Sequence, residues 1–172
     1  QVATVGESTS DAVAEHCLML MLALCRRLRW QHDAVVNGGW LVAKPWQLPS
    51  GDVDSVPEVV FDGLGGRTLG ILGLGAIGGR VARLARAFGM TVQALERAPG
   101  AAEHGDIPRV PLGALLETSD VLSLHLRLSG ATRHIIGRDA LARVRPGTYL
   151  VNTARGALVD EAALVEALDR GQ

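Results

Sequence analysis

Apolar residues recur along this chain in two rhythms, and their alternation predicts the architecture. Leu69 to Leu72, a run from Thr91 that ends at Glu96, Val121 to His125 and Thr148 to Asn152 are short and mainly apolar, as expected of strands buried on both faces. Between them the spacing changes to that of helices: Ile77, Val81, Leu84, Ala85 and Phe88, then Leu112 to Thr118, Arg138 to Val144, and Glu161 to Arg170 behind the capping candidate Asp160. Pro108 and Pro111 flank Arg109-Val110 and allow only a short edge strand there. Strand and helix in turn predict an α/β fold with a doubly wound parallel sheet.

The ends of the pattern are less regular. Asp11 to Arg29 reads as one long helix, opened by Ser8-Thr9-Ser10-Asp11 and closed by Arg26, Arg27 and Arg29. Its middle, Cys17 to Cys25, is apolar on every face, which predicts burial from all sides. A second subunit would supply that burial, and so would a central position in the domain. Gln31 to Gly66 reads as a long irregular arm that carries Trp40 and Trp46 as packing anchors, against either the domain or a partner subunit. Gln1 in place of Met, and a helix still in progress at 162–172, make residues 1–172 read as one domain excised from a longer chain.

The richest chemistry lies where the first strand meets the second helix. Gly73, Gly75 and Gly78 spell G-x-G-x-x-G directly after a strand. In such a turn one glycine permits the bend, one lets a pyrophosphate approach the backbone, and one lets helix and strand pack closely. The unpaired amides of Ala76 and Ile77 in the first helical turn favour an anion. Glu96 ends the second strand 18 residues after Gly78, where an acid would accept hydrogen bonds from the adenosine ribose and repel a 2′-phosphate. Arg97 beside it could instead pair with that phosphate. The reading is NAD before NADP.

Composition narrows the class further. The chain is 48% hydrophobic and 3% aromatic, enough aliphatic material for the core of one domain. With 17 Lys plus Arg against 18 Asp plus Glu there is no basic excess to draw nucleic acid. The longest apolar run is far short of the ~20 residues of a membrane span, and Cys17 and Cys25 read as buried thiols, so a cytoplasmic protein is expected. No metal-ligand spacing is present.

In an open parallel sheet ligands bind beyond the carboxyl ends of the strands, which draws attention to His125-Leu126 and to Asn152-Thr153-Ala154-Arg155. Arg155 could clamp a carboxylate and a carbonyl, or serve a structural ion pair. His125 could act as a general base near neutral pH, or as a hydrogen-bonded structural residue.

Val13-Ala-Glu-His16, Leu72-Gly-Leu-Gly-Ala-Ile-Gly78, Ala87-Phe-Gly-Met90, Ser119-Asp-Val121 and Val151 to Asp160 resemble, in order, the nucleotide-binding domain of D-isomer-specific 2-hydroxyacid dehydrogenases. The resemblance implies a Rossmann-like domain that binds NAD(P) and dimerises. It implies hydride transfer between the cofactor and a small 2-hydroxy or 2-oxo acid, with Arg155 holding the substrate's carboxylate and carbonyl. Gly73, Gly75, Ala76, Ile77, Gly78, Glu96, Arg97, His125, Leu126, Thr153, Ala154 and Arg155 are then the cofactor contacts. The family's acid-base Glu and His would lie past residue 172, and its substrate domain elsewhere, so residues 1–172 alone would be inactive. Ala76 stands where the family often has Arg or Lys, and Arg127 where it has Pro. A corepressor-like protein in which NAD drives assembly is the alternative on the same fold.

Overall fold

The computed structural model describes residues 7–37, 63–96 and 106–171. The chain divides into two compact units, Gln1–Met21 with Leu64–Gln172, and Leu22–Gly63.

In the first unit β1 (Thr68–Leu72), β2 (Thr91–Leu95), β3 (Arg109–Val110), β4 (Val121–Leu124) and β5 (Tyr149–Asn152) form one parallel sheet in the order β3-β2-β1-β4-β5. That order reverses direction between β1 and β4, the point at which a doubly wound sheet opens a crevice. The register places Ile71, Ala94, Arg109, Ser123 and Val151 in one row across the sheet, on one face.

Each face is covered because successive parallel strands need crossover helices. The helix after β1, Ala76–Ala87, packs on the Ile71 face, where a Cβ on Gly78 would sit 3.3 Å from Ile71. Leu112–Thr118 lies on the opposite face, so close that a Cβ on Gly70 would sit 2.2 Å from Ser119 Oγ and 3.1 Å from Leu115. That face holds a cluster in which Leu72, Leu115, Leu122, Leu124, Ile136 and Leu158 are all buried. Arg138–Leu141 and Glu161–Asp169 complete it, and Asp160 caps the latter by accepting from Ala163 N at 3.1 Å, as the sequence predicts. In chain order the helices are α1 (Glu7–Cys25), α2 (Leu28–Val36), α3 (Ala76–Ala87), α4 (Leu112–Thr118), α5 (Arg138–Leu141) and α6 (Glu161–Asp169).

The long first helix differs from its sequence reading in three respects. It begins at Glu7, so Thr9 to Asp11 lie within it, and Asp11 spends its carboxylate on Arg80 of α3. It ends at Cys25 because Arg27 adopts a left-handed conformation (φ 48, ψ 45), and α2 starts afresh at Leu28. The segment from Gln31 to Val36, expected to be irregular, is therefore helical, while Trp40, Trp46 and the rest of the arm to 62 lie outside the described residues. Burial is also one-sided. Ala14, Cys17, Leu18 and Met21 form a buried stripe at helical spacing, whereas Met19 is 49% exposed.

Candidate functional site

The site is assembled at the carboxyl edge of the sheet, and its three glycines are there for three different reasons. Gly73 takes φ +106, and a Cβ on it would lie 2.7 Å from the His125 carbonyl carbon, so the turn after β1 runs directly against the chain leaving β4. His125 N donates to Leu72 O at 2.8 Å and holds the two together. A Cβ on Gly78 would lie 2.2 Å from the Gly73 carbonyl oxygen, which fixes α3 against the turn. Gly75 is unlike both: it is exposed, its φ of −101 suits any residue, and a Cβ there would meet nothing within 4 Å. No atom of the described residues explains the missing side chain.

Gly75 is the N-cap of α3 and offers no side chain to the first turn. The amides of Ala76, Ile77 and Gly78 therefore lack intrahelical partners, since the first such bond runs from Gly79 N to Gly75 O at 2.8 Å. Amides at the positive end of a helix dipole, beside a glycine with open space in front of it, fit the pyrophosphate of a dinucleotide.

A cleft of about 330 Å³ opens in front of this turn. Gly73 to Gly75 form its floor, Leu95, Glu96 and Arg109 one wall, and His125, Leu126, Arg127 and Thr132 the other. Glu96 is exposed just beyond β2, and its N–H donates to Val110 O at 2.9 Å, which ties the end of β2 to β3. Arg97 lies outside the described residues. On the far wall Thr132 Oγ1 donates to Arg127 O at 2.7 Å and accepts from Ser129 N at 2.8 Å, folding the loop back on itself. That closure gives the loop a defined shape with Arg127 where the resembled family has proline.

His125 does not match the general-base reading. Its Nε2 lies 2.8 Å from Ser123 Oγ, which in turn lies 3.1 Å from the buried Cys17 Sγ. Burial pushes the imidazole pKa down to about 4, so the ring is neutral at physiological pH and does not titrate near 7. The Cys17 thiol, also buried, is pushed up. His125 is a hydrogen-bonded wall of the cleft, and the chain Cys17–Ser123–His125 links α1 to it. Ser123 escaped the sequence reading, although Val121, Ser123 and His125 share a face by strand alternation and a lone serine there was a signal.

Thr153, Ala154 and Arg155 do not line this cleft. They follow β5, two strands from β1 and so on the order of 10 Å along the same edge. Their turn is held by Asn152, whose side chain accepts from Ala154 N at 3.0 Å and donates to Arg155 O at 2.9 Å. The sequence places Asn152 at this edge but not its role in the turn, though asparagine at a strand end followed by a tight turn commonly bonds its own backbone. Arg155 is exposed and has no carboxylate partner among the described residues; Nη1 donates to Ala154 O at 2.8 Å. Thr153 Oγ1 is buried without a hydrogen-bond partner, a cost that a ligand at this edge would remove. Among the described residues no group of His, Cys, Asp or Glu could hold a metal ion, and no helix is long and apolar enough to cross a membrane.

A doubly wound sheet with a glycine-floored crevice at its switch point defines a dinucleotide-binding domain. Residues 18–172 match the family model of the D-isomer specific 2-hydroxyacid dehydrogenase, NAD binding domain, and the chain belongs to that family. It is 39% identical over 166 residues to a glyoxylate reductase of Korarchaeum cryptofilum, which covers 94% of this chain and 46% of that protein. Among solved structures, D-lactate dehydrogenase from Aquifex aeolicus complexed with NAD and lactic acid superposes with a TM-score of 0.78 at 33% identity, covering 94% of this chain and 45% of that one. An acyclic imino acid reductase in complex with NADPH and D-Arg superposes with a TM-score of 0.79 at 30% identity, covering 94% and 48%. The chain spans about half the length of the relatives it matches.

Proposed function

We propose that residues 1–172 act as the NAD-binding domain of an enzyme that moves a hydride between NAD(H) and a small 2-hydroxy or 2-oxo acid. The observation that carries the proposal is Gly75, a glycine that no contact among the described residues requires, set at the start of α3 and facing open space. The matched relatives add that proteins of this family are named as reductases and dehydrogenases of such acids.

In this reading the amides of Ala76 and Ile77 hold the pyrophosphate, and Gly75 admits it. Glu96 accepts from the adenosine ribose hydroxyls and repels a 2′-phosphate, which favours NAD. The solved relatives hold NAD in one case and NADPH in another, so the fold takes either. His125 and Leu126 flank the cofactor as a neutral wall. Thr153 and Ala154 approach the nicotinamide, and the unpartnered Thr153 hydroxyl gains a partner there. The bound nicotinamide supplies or takes up the hydride. Arg155, without a carboxylate partner among the described residues, meets the substrate's carboxylate and carbonyl in a bidentate manner and stabilises the charge that grows on the carbonyl oxygen. Recognition of the substrate's side chain and the acid-base pair falls to parts of the protein outside residues 1–172. The protein works in the cytoplasm as a dimer formed through α1, α2 and the arm. The apolar surface left open on α1, and on α2, which buries no residue of its own, supports that assembly.

Steady-state reduction of glyoxylate and hydroxypyruvate by the intact protein, with NADH titrated calorimetrically, tests the reading. Turnover that falls about 10²–10³-fold in Arg155→Ala, with NADH binding lost in Glu96→Ala, is expected. A folded protein that binds no NADH, or an Arg155→Ala variant with undiminished turnover, overturns it.

A further inference from the structure

Two arginines line the cleft without a role from the motif or the resemblance, and they stand on different walls: Arg127 is exposed on the far one, and Arg109 shares the near one with Glu96. Arg109 stands on β3 in register with Ala94 of the neighbouring β2. Its Nη1 donates to Leu95 O at 3.2 Å, the carbonyl of the residue before Glu96. The guanidinium therefore lies at the mouth of the cleft beside the ribose acid, and both line the same wall. Several arginines of this unit, Arg80, Arg86, Arg138, Arg143 and Arg145 among them, meet a carboxylate, whereas Arg155, like Arg109, has none among the described residues. Arg109 meets none among the described residues, and neither does Glu96 meet a cation. A half-buried guanidinium that uses one donor on a carbonyl leaves its others free, in a geometry that suits a phosphate.

We infer that Arg109 is a cofactor-specificity residue: its free guanidinium edge takes the adenosine 2′-phosphate when the dinucleotide carries one, so the cleft accepts NADPH as well as NADH. Glu96 and Arg109 act in opposition on one atom of the cofactor, the carboxylate favouring a hydroxyl and the guanidinium a phosphate. The balance of the two sets the preference, and loss of Arg109 sharpens selection for NADH. The inference rests on the proposed placement of the dinucleotide in this cleft.

The test is fluorescence titration of the intact protein with NADH and NADPH, for wild type, Arg109→Gln, Arg109→Lys, Arg97→Gln and Gly75→Ser. Glutamine keeps an N–H for the Leu95 carbonyl and removes the charge. Arg109→Gln is expected to weaken NADPH at least tenfold more than NADH, and Arg109→Lys to recover part of that difference. The salt dependence of NADPH binding should also flatten in Arg109→Gln. Equal weakening of both cofactors, or an NADPH affinity that depends on Arg97 alone, overturns the inference while leaving the placement intact, provided that Gly75→Ser still weakens NADH binding at least tenfold. Failure of the folded wild-type protein to bind either dinucleotide overturns both.

Discussion

At the scale of single residues, the glycine turn separates the requirements of the fold from those of the ligand. Gly78→Ala forces a Cβ to 2.2 Å from a backbone oxygen and should cost roughly 1–3 kcal/mol, read by denaturant unfolding. Gly75→Ser should behave oppositely, because serine is a good N-cap and meets no obstacle. Its stability should hold or rise while NADH affinity falls at least tenfold, about 1.4 kcal/mol. A Gly75→Ser protein that binds NADH normally would remove the main support for the site. His125 makes a pH prediction with a definite sign. Its folded pKa of about 4 lies below the ordinary 6.5, so both states are neutral above pH 6.5 and nothing is lost there. As pH falls from 6.5 to 4 the unfolded chain takes up a proton that the folded one refuses, and up to about 3 kcal/mol of stability disappears. His125→Gln, which can still bond Ser123, should lack that part of the decline in unfolding experiments across this range.

At the scale of elements, strands and helices were legible because their signals are local. Leu112–Thr118 and Arg109–Val110 occur where the residues predict them, and Asp160 caps α6. The first helix was misread for a reason that is also physical. Nothing in Arg26-Arg27 forbids a helix to continue, and the break at Arg27 is a left-handed residue of a type that seldom adopts that conformation. Glycine pays no such penalty, so Arg27→Gly should stabilise the protein by roughly 0.5–1 kcal/mol in thermal or denaturant unfolding. A loss of stability would mean that the arginine side chain holds the corner. The link between elements at Ser123 carries a cost of its own. Ser123→Ala strips the partner from both Cys17 and His125, and an unfolding loss of about 1–3 kcal/mol is expected.

At the scale of the whole molecule, the proposed dimer is a statement about surface. Met19 and Leu24 on α1, and Leu28, Trp30, Val35 and Val36 on α2, are each between 42% and 67% exposed. Light scattering should give a dimer mass at micromolar concentration, and Met19→Glu should shift it toward the monomer; a monomeric wild-type protein would refute the assembly. From β1 onward the sequence by itself determined the succession of strands and helices, the parallel sheet and the dinucleotide turn, since periodicity, glycine placement and caps act over a few residues. Only the tertiary structure showed that Gly75 alone among the three motif glycines faces open space, that Ser123 joins α1 to His125, and that Arg109 reaches the residue beside Glu96. It also decided which stripe of an all-apolar helix is buried. Those facts depend on register and on distances between positions tens of residues apart, and no local pattern encodes them.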